Sequence, residues 1–189
     1  MITGPSGSGK STLARSILGL WPEFSGDISI GGQSLYSQAE FDLTSSMGYL
    51  PQEVNLFDGS IAENISRFSS PIDANKVIEA AKSSHVHELI LNFPEGYDTI
   101  VGPNGQFLSG GQLQRLGLAR AIYGNPKVVV LDEPNANLDD DGINALMKTL
   151  ERLKKNLVTV IVISHRPGIE KISDLHLNIT NSQVIATKL

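Results

Sequence analysis

Cysteine is absent from the 189 residues. That excludes disulfides and thiolate metal sites, and it fits a reducing compartment. No apolar run approaches the ~20 residues that a membrane-crossing helix needs. The first residues do not form a secretory signal, so Asn64-Ile65-Ser66 and Asn178-Ile179-Thr180 match the glycosylation pattern by coincidence. Basic residues are outnumbered, with 15 Lys and Arg against 20 Asp and Glu and a net charge of −5. Without a basic stripe, nucleic acid is not expected as a partner. There is no internal repeat and no low-complexity linker. What is present, 40% hydrophobic and 19% charged residues, is enough for one domain with a sizeable core.

Periodicity and turn chemistry predict the elements. A helix is expected over residues 10–21, broken by Pro22 and Ser25-Gly26. Two short strands should flank Gly31-Gly32, and another should run from Met47 to the stop at Pro51. Residues 60–91 have helical period with a break near Pro71, and 93–107 are rich in turn formers. Ser109 should cap a helix that ends at Gly124. KVVVLDE and LVTVIVIS read as buried parallel strands. Between them, Ile143, Leu146, Met147, Leu150 and Leu153 share one helical face. The tail reads as a hairpin about Asn181-Ser182. Apolar strands alternating with amphipathic helices imply an α/β fold, a mostly parallel sheet flanked by helices. Its ligand site belongs beyond the carboxyl ends of the strands.

Three stretches carry chemistry. Gly4, Pro5, Ser6, Gly7, Ser8, Gly9, Lys10 and Ser11, followed by Thr12, form a phosphate-binding loop at a helix start. The glycines let successive N–H groups face inward, where they and the helix N-terminus can hold a polyphosphate. Lys10 would carry charge to the β and γ phosphates, and the Ser11 hydroxyl would ligate Mg²⁺. The second stretch is VVVLDE. Two adjacent carboxylates at an apolar strand end are costly unless they meet a cation or a partner. Asp132 can orient Mg²⁺, and Glu133 can polarise a water for attack on the γ phosphate. In the third, Ser109, Gly110, Gly111 and Gln112 make a second helix start with exposed N–H groups. It can serve the same phosphates only if the two loops meet.

LSGGQLQR resembles the signature of ATP-binding-cassette (ABC) proteins, and it lies between a phosphate loop and VVVLDEP in that family's order. The resemblance spans nearly the whole chain. It implies a P-loop NTPase fold with a helical subdomain, here over about residues 56–123 of a single 1–189 domain. It also implies an ATP- and Mg²⁺-dependent ATPase in which two nucleotides are sandwiched head to tail between two domains. In that arrangement Ser109 to Gln112 would complete the site of a second copy. Gln52, in YLPQE, matches the glutamine that touches Mg²⁺ and water. The stretch from Asn135 to Asp139 matches the loop that crosses the dimer interface, with Asp139 as its acid. His165, after Ser164, matches the switch histidine near the γ phosphate.

GYLPQEVNLFDGSIAENI, HELILNFPEGYDTIVG and LDEPNANLD narrow the likeness to exporters, and within them to the ATPases of bacterial type I secretion of proteases and lipases. The resemblance then implies a transmembrane exporter domain as partner, at the cytoplasmic face of the bacterial inner membrane. The alternatives are a non-transport cassette ATPase and a regulatory ATP-binding module. Two departures stand out. Pro103 follows Val101-Gly102, where exporters usually carry an acid, and only Met1, Ile2 and Thr3 precede the phosphate loop. The family has a full strand there, and upstream of it an aromatic residue that stacks on adenine. The expectation is therefore an N-terminally truncated domain with an incomplete β region. Such a chain should be less stable, and bind ATP more weakly, than one extended upstream.

Overall fold

A computed structural model describes residues 1–21, 25–35, 46–103, 107–180 and 183–189. In chain order, β1 (Ile2–Thr3) leads through the phosphate loop into α1 (Lys10–Ile17), and β2 (Ser29–Ile30) and β3 (Gln33–Ser34) form a small hairpin. Next come β4 (Met47–Leu50), β5 (Gly59–Ser60), α2 (Ile61–Ile65), α3 (Ala74–Ser83) and α4 (His87–Leu91). A single 3₁₀ turn over Gly96–Asp98 precedes β6 (Ile100–Val101), and α5 (Gly110–Ile122) follows. The chain closes with β7 (Val128–Asp132), α6 (Asp140–Lys155), β8 (Thr159–Ile163), α7 (Pro167–Glu170), β9 (Leu175–Thr180) and β10 (Gln183–Lys188).

The main sheet has the order β10-β9-β1-β8-β7-β4 and is parallel except for β10. β7 sits deep in it, with all five of its residues buried. Its side chains alternate between two cores, as the pleat demands. Val128 and Val130 join Ile2, Ala14, Met47, Ile163 and Ile179 beneath α1. Val129 and Leu131 join Leu50, Ile61, Ile65, Val77, Leu116, Leu146 and Leu150 on the other face. The helices of residues 61–91 thus share a core with the sheet, bridged by α5.

The central place in the sheet falls to the two residues of β1. Ile2 pairs with Ile163 of β8 and with Leu177 of β9, and Thr3 pairs with Asn178. Of β8, only Ile163 has a β1 partner, whereas residues 159–163 all pair with β7.

Several boundaries differ from the sequence expectation. α1 stops at Ile17, not at residue 21, because Gly19 adopts φ 69° and the Leu20 and Gly19 N–H groups donate to the Arg15 and Ser16 carbonyls. That pairing caps a helix end through a left-handed residue. Residues 60–91 form three helices, since the chain also turns at His85, which takes φ 56°. The turn-rich 93–107 segment contains β6, paired antiparallel with β5. Pro22 and the predicted tail turn at Asn181-Ser182 lie outside the described residues, but the hairpin strands β9 and β10 are there, paired from Thr180–Gln183 to Leu175–Lys188.

Candidate nucleotide site

Parallel strands aim their carboxyl ends the same way. The phosphate loop follows β1, Gln52 follows β4, Glu133 follows β7 and His165 follows β8. These residues therefore meet around one cavity of about 620 Å³, lined by Ser6, Gly7, Gly9, Lys10, Ser11, Thr12, Gln52, Asp132, Glu133 and His165 among others. A separate cavity of about 370 Å³, between α3, the end of α6 and the approach to β7, contains none of them.

The loop's shape depends on its glycines. Gly4, Gly7 and Gly9 take φ values of 146°, 78° and 93°, where side-chain-bearing residues are strained. At Gly4 a Cβ would also collide with the Ile179 carbonyl oxygen of β9. Lys10 folds back across the loop, and its Nζ donates to the Gly4 carbonyl at 2.7 Å and to the Pro5 carbonyl at 2.8 Å. A cation held at the neck of an inward-facing backbone is suited to a phosphate chain. The Ser8 hydroxyl is buried and has no hydrogen-bond partner among the described residues.

Asp132 ends β7 and is 2% exposed. Glu133 is the turn residue after it, at φ 48°. Its backbone is held on two sides: its N–H donates to Ile163 at 2.9 Å, and its carbonyl accepts from Ala136 N–H at 3.0 Å and from Gln114 Nε2 at 3.4 Å. Its carboxylate lies 3.8 Å from His165 Nε2. Burial pushes the Glu133 carboxyl above the usual carboxylate range, and the Asp132 charge adds to this. His165, Lys10 and the Asn135 side chain pull the other way. A carboxylate raised by burial holds a proton more readily than a free one, which suits a proton acceptor.

The donor set fits a magnesium ion bound together with a polyphosphate. Among the described residues no group of three or more His, Asp or Glu could hold a metal alone. A hydroxyl from Ser11, the buried carboxylate of Asp132 and the amide of Gln52 line the cavity. One carboxylate plus substrate phosphates is the usual way this hard, small cation is bound.

Ser109 to Gln112 and Asp139 lie outside this cavity but beside each other. Ser109 caps α5: its Oγ accepts from Gln112 N–H at 3.3 Å, while Gln112 Oε1 accepts from Ser109 N–H at 2.8 Å. Ser109 and Gly110 are exposed. A Cβ at Gly110 would come to 3.1 Å from that of Asn137, so the helix start rests on the loop after Glu133. Asp139 is the N-cap of α6, accepting from Gly142 N–H at 2.8 Å, and it pairs with Arg115 at 3.2 Å.

Some structural roles were not predicted. Gln114, 3% exposed, reaches from α5 to the Glu133 carbonyl. Asn64, half of an apparent glycosylation site, is 2% exposed and bonds both backbone groups of Phe57. A polar residue recurring on the apolar face of a predicted helix was the available signal for Asn64. The contacts of Gln114 and of Asn135 depend on how distant segments meet.

Comparison with known proteins agrees with this geometry. The ABC transporter family model matches residues 1–136. The type I secretion system ATP-binding protein PrsD of Rhizobium meliloti is 45% identical over 185 residues, which is 98% of this chain and 32% of that protein. The colicin V secretion/processing ATP-binding protein CvaB of Escherichia coli is 36% identical over 168 residues, 87% of this chain and 23% of that protein. A solved structure of a bacterial Atm1-family ABC exporter with ATP bound superposes with a TM-score of 0.88 at 33% identity, covering 99% of this chain and 33% of that one. The chain spans about a third or less of the length of these proteins. No helix among its described residues is long and apolar enough to cross a membrane. The chain belongs to the ABC transporter family, as its ATP-binding domain.

Proposed function

We propose that the chain hydrolyses ATP to drive an exporter of the type I secretion class. The carrying observation is the single cavity that joins Lys10, Asp132, Glu133, Gln52 and His165 at the strand ends. ATP is the substrate. The loop from Gly4 to Thr12 cradles its phosphates, with Lys10 exchanging its two carbonyl partners for phosphate oxygens. Ser11, Asp132 and Gln52 would hold Mg²⁺, which neutralises charge on the phosphates when bound. Water attacks the γ phosphorus, Glu133 takes the proton that water loses, and ADP departs as the phosphorus–oxygen bond breaks. His165, 3.8 Å from Glu133, steadies the charge that develops on the γ phosphate.

The exposed, serine-capped start of α5 does not line the cavity that holds the phosphate loop. It would close over the nucleotide of a second copy in a head-to-tail pair, with Asp139 and its loop at the seam. A transmembrane domain would dock near Gln52 and on the helices after it, from about Leu56 to Leu91, at the cytoplasmic side of the inner membrane.

The test is Glu133→Gln. The variant should bind ATP with near-native affinity and lose at least ~100-fold in turnover, the usual reach of a general base. Phosphate release at the native rate would reject Glu133 as the proton acceptor.

A further inference from the structure

The cavity of about 370 Å³ between α3, the end of α6 and the approach to β7 contains no residue of the nucleotide site. It lies at the opposite end of the sheet, where residues 124–127 lead into β7 and 156–158 lead into β8. Its volume falls within the range of clefts that hold small organic molecules. Ala80, Ile122, Leu153 and Val158 give it an apolar lining, and the first three are buried. Thr149, 1% exposed, donates its hydroxyl to the Ser83 carbonyl at 2.8 Å and so ties α6 to the end of α3. The two turns that enter the strands take φ 56° at Asn125 and 58° at Leu157. Just beyond them the Thr159 N–H donates to the Lys127 carbonyl at 2.9 Å. The walls are therefore fixed by the protein's own bonds, as in most small-molecule sites.

Charge says what such a molecule carries. The lining has three cations, Lys76, Lys127 and Arg152, against one carboxylate, Glu79, in a chain whose net charge is −5. Two of the cations have partners: Arg152 pairs with Glu79 and Lys76 with Asp73, each at 3.5 Å. Lys127 has no carboxylate within 4 Å among the described residues. Its backbone is engaged on both sides, donating to the Ser46 carbonyl at 2.8 Å and accepting from Thr159. Its stem is thus placed, and its ammonium is unmatched. Asn125 and Asn156 add amide donors. One unmatched positive charge beside an apolar lining complements an apolar body that bears one negative charge. We propose that this cavity is a second ligand site, for a small organic monoanion: an apolar ring or short acyl body with one carboxylate. The carboxylate meets Lys127, and the body lies against Ala80, Ile122 and Leu153. A ligand held there bridges α3 and α6 without touching the nucleotide.

The probe is 1-naphthoate, with 1-naphthylmethylamine as its cationic counterpart. Each is titrated into the full-length native protein in lipid nanodiscs, with and without saturating ADP. Deuterium exchange, followed against probe concentration, reads both affinity and place. Naphthoate should slow exchange saturably at residues 76–83 and 152–158 whether or not ADP is present, and the amine should not. Lys127→Glu should weaken naphthoate at least ~10-fold, since it reverses the charge that the carboxylate meets. Lys188→Glu makes the same change of net charge on exposed β10, four strands away from β7. It should leave the affinity within about twofold, because a charge that distant is screened. Both variants should keep the wild-type exchange pattern without probe, which shows that they are folded. Equal protection by the amine, or native affinity in Lys127→Glu, would overturn the proposal. So would protection that is confined to other segments, or that ADP abolishes, because the probe would then sit in the phosphate loop.

Discussion

At the scale of single residues, the site depends on places where a side chain is forbidden as much as on those where one is required. Gly4 shows this best. Its φ of 146° and its contact with the Ile179 carbonyl leave no room for a methyl group. Gly4→Ala should destabilise the fold by at least about 2 kcal/mol, from backbone strain plus the clash. A denaturant midpoint would measure it, and an unchanged midpoint would show that β9 can give way. The phosphate loop, Asp132 and Glu133 were legible in the sequence because each is a short pattern whose chemistry is local. Asn135 with Ser164 was not, although both stand beside named site residues. Their bond spans 29 positions. It exists because β7 and β8 pair with Asp132 opposite Ile163, a register no local pattern encodes.

At the scale of elements, strand and helix types were readable and junctions were not. β7, β8 and α6 follow apolar runs and a clear helical face. The helical stretch of 60–91 fragmented because tertiary contacts and local turns override propensity at its ends. One such junction depends on Arg67, just past α2 and at φ 57°. Its guanidinium donates to the carbonyls of Arg120 and Ala121 in α5 and of Met47 in β4, each at 2.9 Å. Burial, with Arg120 nearby, lowers its pKa from the usual arginine range. Arg67→Ala should cost about 2–4 kcal/mol, since several carbonyls lose their donor at once. Arg67→Lys should recover little of this, because one ammonium cannot reach carbonyls spread around a planar fork. Equal unfolding midpoints for the lysine variant and the wild type would contradict that account.

At the scale of the whole molecule, the start of α5 stands apart from the residues that line the phosphate-loop cavity. In the proposed head-to-tail pair the two are half-sites that a second copy completes. If two copies complete each other, chains defective at Lys10 and chains defective at Ser109 should each be inactive alone and regain turnover when mixed. The theoretical yield is one intact composite site per mixed pair. Absence of rescue at every mixing ratio would favour a self-contained site. The same comparison explains what a sequence reading of the assembly could and could not reach. The motif order identified the family, but the face presented by α5 follows from its packing on Asn137, Leu50 and Val54.

β9 and β10 form a ribbon whose ladder bonds to the remaining sheet pass only through residues 1–3 among the described residues. The same tripeptide is the stem of the phosphate loop, and Gly4 abuts Ile179 in that ribbon. Clamping the loop on a polyphosphate therefore damps the root from which the ribbon swings. Deuterium uptake along 175–188 should slow when nucleotide is added. The C-terminal ribbon then acts as a remote gauge of occupancy, registering a ligand it never touches.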